Sequence, residues 1–419
     1  MGSKLKILLA CFACRPNSGS ESGMGWNFAI NVAKYHDVHV LVAHWDEESI
    51  TQYIKKFPNE TKNLSFHFIQ DPNYLSAKKM WAPLFNFLYK PSFYFFYKKW
   101  QKRAYEYAYQ LHLKEHFDII HQVNIAGYRS PGFLWKLDAP FVIGPLGGFT
   151  QTNWKLLSGQ NIRDILYIGM RNIVNAMQKR YGYAARTLSK HADTILVSDN
   201  GGALDIKKHW KRDSTIMLEV GTYSNGANRQ PASRDKTQPL RICWVGHLIN
   251  TKALHLLLPA LKYCKHPIHL EIVGGGPQFT DWKNLAQRLQ IENNVIFKGE
   301  KKHDDVLSIM SQCHLLCISS IKEGGTGTVA LEALQNGLPI VCLNHCGYST
   351  VVNENTGIKI PITNHNQIAK DFAAAFDYLY ENEELRYKMA LNCLKQSKIY
   401  SWDEKIKKLC SIYNQVLNK

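Results

Sequence analysis

The residues best suited to chemistry in this chain lie in Glu323-Gly-Gly-Thr-Gly-Thr-Val-Ala-Leu-Glu332. The segment reads as a glycine-rich loop running into a short helix. Gly337 stands where a left-handed residue would end that helix, and Pro339 follows as a breaker before a buried strand. Val329, Ala330, Leu331, Ala333 and Leu334 make the helix apolar on every side, yet Glu332 sits in its middle. A carboxylate in such surroundings is costly unless it is hydrogen-bonded. A helix N-terminus behind glycines offers free N–H groups and the positive end of a dipole. A phosphate-bearing ligand with hydroxyls, in outline a nucleotide sugar, would satisfy both demands.

Other candidate groups lie at turns that follow expected strands, the edge where open α/β sheets take ligands. Asn17–Trp26 carries Gly19, Gly23 and Gly25, without the G-x-G-x-x-G spacing of a dinucleotide site. Val245-Gly246-His247 leads to Lys252 but lacks the Gly-Lys-Ser/Thr ending of a P-loop. Gly274 and Gly275 open a third turn, and Gly147 with Gly148 a fourth. His121 ends a strand where a side chain either packs or reaches a substrate, and Arg129 is either a solvated loop residue or the holder of an anionic acceptor.

These groups need a scaffold, and the 419-residue chain is long enough for about two domains. Strands alternate with helices in both halves, which implies parallel sheets in an α/β fold. In the first half, strands are expected over Lys6–Cys14, Val38–Ala43, Phe117–Gln122, Pro140–Gly144 and Thr194–Ser198, with one long helix over Ile162–Ser189. In the second they fall at Leu240–Val245, His269–Val273, Val295–Lys298, His314–Ser319 and Pro339–Leu343. The polar stretch 225–238 reads as a linker between an N-terminal domain (1–224) and a C-terminal domain (239–400). Ser401-Trp-Asp-Glu404 is a capping box opening a final amphipathic helix over 401–419.

The net charge of +17 calls for an anionic partner: nucleic acid, a phosphorylated substrate or an acidic membrane surface. Within a basic, aromatic helical insertion (78–115), Lys78–Tyr109 interleaves rings with lysines. That composition fits packing, a membrane interface or stacked single strands. Charge and this segment alone argue for nucleic acid, so it is not an expected partner. The N-terminus reads as a first strand rather than a signal peptide, and no run is long enough to span a bilayer. A cytoplasmic location, peripheral to the inner face of the membrane, is expected. The ten cysteines lack zinc spacing and read as reduced thiols.

In order and spacing the set resembles the retaining glycosyltransferases of family 4, most clearly over Arg241–Gly357. The resemblance implies the GT-B fold: two Rossmann-like domains facing a cleft, with a last helix crossing back. It implies a nucleoside diphosphate sugar as donor, a glycan or lipid-linked glycan as acceptor, a place in cell-surface polysaccharide synthesis, and neither metal nor cofactor. Carried over, Glu332 holds the ribose hydroxyls and Lys252 neutralises the diphosphate. Glu323 contacts the sugar, although one residue more separates the two glutamates than in the family, which makes Gly324 the alternative. The N–H groups of Gly325, Thr326 and Gly327 face sugar and phosphate, and Thr328, Gly246, Gly274 and Gly275 complete the donor side. His247 replaces the family's arginine. Gly23, Gly25, Gly147 and Gly148 serve the acceptor and diphosphate side, and His121 matches the first histidine of an H-x-H pattern whose second position is Val123. The rival readings are a nucleotide-sugar epimerase of the same fold and a non-catalytic nucleotide- or glycan-binding protein.

Overall fold

The computed structural model describes residues 4–70, 89–125, 127–157, 162–223, 230–323 and 325–418. Two parallel sheets organise it. The first has seven strands: β1 (Lys6–Cys11), β2 (Asp37–Ala43), β3 (Leu64–Ile69), β4 (Ile119–Asn124), β5 (Phe141–Leu146), β6 (Thr194–Val197) and β7 (Thr215–Ile216). Their order is β3-β2-β1-β4-β5-β6-β7. The second has six: β8 (Leu240–Val245), β9 (Ile268–Val273), β10 (Val295–Gly299), β11 (Leu315–Ile318), β12 (Ile340–Leu343) and β13 (Gly357–Ile360), in the order β10-β9-β8-β11-β12-β13.

The inner strands are mostly buried, β4, β5, β11 and β12 at every residue, because helices cover both faces. In each sheet the chain reverses direction beside the first strand, at β1/β4 and at β8/β11. This is the switch point where a crevice opens beyond the strand C-termini. The segments after β1 and β8 lie at those crevices, with Gly23 in the first turn of helix Ser20–Val32 and Lys252 in the short 3-10 turn Asn250–Lys252.

The expected helix over Ile162–Ser189 is two helices, Ile162–Tyr181 and Tyr183–His191, separated at Gly182. The last helix, Trp402–Leu417, is capped by the Ser401 side chain, which accepts from the Glu404 N–H at 3.3 Å. Trp402, Ile406, Leu409, Tyr413 and Val416 pack it into the core built on β1, β2 and β4, so the C-terminus crosses back to the first domain. Where the chain passes between domains its two crossings pair. Thr222 N–H donates to the Tyr400 carbonyl at 2.9 Å, and Trp402 N–H to the Thr222 carbonyl at 3.0 Å.

Residues 78–88 of the basic aromatic insertion lie outside the described residues, as do 225–229 of the linker. From Phe93 onward the helix Tyr89–Glu115 divides its rings. Tyr97 and Trp100 are buried against Phe12, while Tyr94 and Phe95 are exposed. All ten cysteines are free, and eight are buried.

Candidate active site

Helix Thr328–Gln335 begins directly after Gly327 (φ +74°), which supplies no side-chain cap, and Gly337 (φ +64°) follows its end. Among the described residues no side chain caps the leading N–H groups of the helix. That N-terminus, with Gly246, Lys252, Lys301 and Tyr348, lines a pocket of about 410 Å³. Glu332, one turn further along, is part-buried and faces both this pocket and an adjoining cleft of about 670 Å³. The cleft runs between the domains. Its far wall is Asn17, Ser18, Gly23 and Asn27 from the loop and helix after β1.

Lys252 and Lys301 bring two cations to the small pocket, while burial holds the Glu332 carboxyl above its ordinary value, opposed by His303 with Nδ1 3.9 Å away. Lys252 Nζ is hydrogen-bonded to the Glu323 carboxylate, so the two residues assigned to opposite ends of a donor form one ion pair. A half-buried cation beside a helix N-terminus can hold a diphosphate, and a carboxylate one turn along can accept hydroxyls.

Several expected residues sit elsewhere. His121 is fully buried beneath the C-terminal helix. Its Nε2 donates to the Gly144 carbonyl and its Nδ1 accepts from Tyr413 Oη, both at 2.7 Å. Its ring lines neither the pocket nor the cleft; a strand end that reads as a functional edge is here roofed by a helix from 292 residues away. Burial pushes its pKa from 6.5 down to about 4. On acidification the unfolded chain takes up this proton first, so the neutral ring contributes stability above about pH 6.5 that is lost toward pH 4, by roughly 3 kcal/mol. In His121→Gln the pH slope of the urea midpoint should shrink in that window while nucleotide affinity stays unchanged. Lost nucleotide binding with an unaltered slope would return His121 to the site.

The loop glycines are also reassigned. Thr326 N–H and Gly327 N–H donate to Glu219 Oε1 at 2.5 and 3.3 Å, so they face this carboxylate rather than a sugar or phosphate. Thr326 is fully buried, and a Cβ on Gly325 would stand 2.1 Å from the same oxygen, which is why a glycine is required there. Glu219 belongs to the crossing segment after β7. Burial raises its pKa, and the buried Lys405 ammonium opposes that rise. Lys405 itself lies 3.9 Å over the Trp402 ring, its pKa pushed well down by the same burial. The glycine loop is thus tied to the segment that crosses between the domains. Gly324 lies outside the described residues.

Gly274 packs on Gly246 and Gly275 on Glu300, while His247 is exposed on its turn. Gly25 is buried against the Ala13 carbonyl, whereas Gly23 lines the cleft. Gly147 bridges to Gly127, and Gly148 lies beside Arg129, whose guanidinium is held by Asn175 and Gln178. Glu219, His303 and Tyr348 were not singled out in the sequence. Only His303, just past the end of β10, carried a usable signal, its place at a strand C-terminus.

Comparison with known proteins bears on this geometry. The family of glycosyl transferases group 1 matches residues 227–396. An uncharacterized glycosyltransferase of Haemophilus influenzae is 30% identical over 263 residues, 59% of this chain and 70% of that protein. The chain belongs to the group 1 glycosyltransferase family. A second relative, the D-inositol 3-phosphate glycosyltransferase of Corynebacterium kroppenstedtii, is 26% identical over 250 residues, 55% of this chain. The chain spans about half the length of that relative, 54%. Among solved structures, Anabaena Alr3699/HepE in complex with UDP has a TM-score of 0.60 at 15% identity, covering 98% of this chain and 100% of that one. The group 1 chain therefore has the GT-B fold of two Rossmann-like halves.

Proposed function

We propose that this protein transfers a sugar, with retention of configuration and without a metal ion, from a nucleoside diphosphate sugar to a glycan or lipid-linked glycan of the cell surface. One observation carries the reading: Lys252, the helix N-terminus at Thr328 and the Glu332 carboxyl line a single pocket that opens into the interdomain cleft. The diphosphate would lie at Lys252 and the helix end, with ribose hydroxyls on Glu332. The acceptor would enter over Asn17–Gly23. Positive charge fixed at the leaving group is the main electrostatic demand of the step. Membership of the group 1 family supports the reaction class, and the UDP bound to the Anabaena protein makes UDP the first base to test.

The test is thermal unfolding with UDP, GDP, ADP and TDP, followed by nucleotide release from the matching sugars with and without EDTA. One nucleotide at a hundredfold excess over its Kd should stabilise the fold by about 2.7 kcal/mol. Its sugar should turn over on adding acceptor, equally well with EDTA. No stabilisation by any of the four would sink the proposal, and epimerised donor without acceptor would replace it with the rival reaction.

A further inference from the structure

Helix Ile162–Tyr181 is built inside out. Its solvent side carries Ile162, Leu166, Met170, Ile173, Met177 and Tyr181, all exposed, Leu166 by 65% and Met170 by 63%. At 100° per residue these six fall on one stripe, about 28 Å long at 1.5 Å per residue. The inward side is polar instead. Asn172 bonds the Thr152 backbone at 2.7 and 3.2 Å, Asn175 accepts from Tyr128 Oη at 2.6 Å, and Lys179 donates to the Phe149 carbonyl at 3.1 Å. A soluble helix buries its apolar face; this one spends polar side chains on its anchorage and leaves the apolar stripe outside.

We infer that this stripe docks the protein on an anionic lipid bilayer, with the helix lying in the plane of the headgroup boundary. The charge around it selects the occupant. Apart from Lys179, which is buried and ion-paired with Asp205, the helix carries Arg163, Arg171 and Arg180 against the single acid Asp164, and Arg186 and Lys190 follow in the next helix. Arg171 lies beside Arg129, and neither has a carboxylate partner among the described residues. Exposed Tyr94 and Phe95, with Lys98 and Lys99, lie on the nearby helix Tyr89–Glu115. A second copy docking face to face would set these cations against one another, whereas anionic headgroups would neutralise them. No helix among the described residues is long and apolar enough to cross a membrane, which leaves an in-plane arrangement. The polar underside grips Phe149 and Thr152, directly after the Gly147–Gly148 turn, so docking would place that side of the molecule next to the bilayer.

Flotation of the full chain with vesicles tests this, comparing phosphatidylcholine alone with an equal mixture of phosphatidylcholine and phosphatidylglycerol. The chain should float with the mixture and not with phosphatidylcholine alone, and high salt should weaken the binding. Leu166→Ser/Met170→Ser/Ile173→Ser should lower the bound fraction at least about tenfold, as loss of the inserted apolar area requires. Its circular dichroism and Tm should stay unchanged, since these side chains touch water. Met170→Asp serves as a second variant should the triple one misfold. Failure to float with the mixture, or flotation undiminished in both variants, overturns the inference. So does a wild-type dimer, measured by sedimentation, that the same substitutions dissociate. All three readouts are independent of sugar transfer.

Discussion

A Glu332→Ala variant is expected to lose nucleotide-sugar binding while remaining folded. The side chain projects into the cleft from a helix anchored by Ala330, Leu331, Ala333 and Leu334, all buried, so truncating it leaves the packing intact. What disappears is a charged acceptor for hydroxyls, and a hydrogen bond to a charged group is worth about 1.5–3 kcal/mol. The Kd for UDP, or whichever nucleotide the screen selects, should rise roughly 10- to 150-fold in calorimetry. Acidity separates this role from a structural one. Burial raises the Glu332 pKa, so the folded state holds the proton more tightly than the unfolded chain does, and the ionised carboxylate costs the free protein stability at neutral pH. Glu332→Gln removes that cost. It should raise Tm slightly, weaken donor binding, and abolish any loss of affinity on acidification through the carboxyl's own titration. A variant that binds and transfers like the parent would remove Glu332 from the site.

Sequence and structure agree best where local pattern decides. Runs such as Leu240–Val245 read as buried strands because helices cover both faces of a parallel sheet. Gly337 and Ser401 read as a helix stop and a cap because each acts within a few residues of itself. The half-exposed edge strand Leu64–Ile69 carries no such run and was not legible. Helix Ile162–Tyr181 was visible as a helix, but its orientation was not. Apolar residues at helical spacing predict a buried face, and only contacts with Phe149 and Thr152 reveal the stripe as the outer one. The site divides in the same way. Glu332 is legible as a carboxylate out of place on an apolar helix. Glu219 is not, because it meets the glycine loop from 107 residues away and leaves no local trace. His121 misleads for the same reason: its partner Tyr413 lies in a helix that returns from the far end of the chain.

Lys252→Ala should be the most damaging single change to turnover. Removing a preorganised charge from a developing anion typically costs about 10²–10³-fold in kcat, and Lys252 is the pocket cation closest to the glycine loop through its bond to Glu323. The ion pair makes the effect divisible. If Glu323 acts by holding Lys252 in place, its substitution works through the lysine, and the two changes cannot add. Glu323→Gln alone should release the ammonium, tighten binding of the free nucleoside diphosphate and slow transfer. Lys252→Ala/Glu323→Gln should then be no slower than Lys252→Ala by itself, a coupling of the size seen for contacting charges. If Glu323 instead grips the donor sugar directly, its loss adds to that of the lysine, and the double variant falls below both single ones. Single-turnover kinetics of the four proteins in the cycle decide between a counterion and a sugar contact. The ion pair between the two side chains favours the counterion.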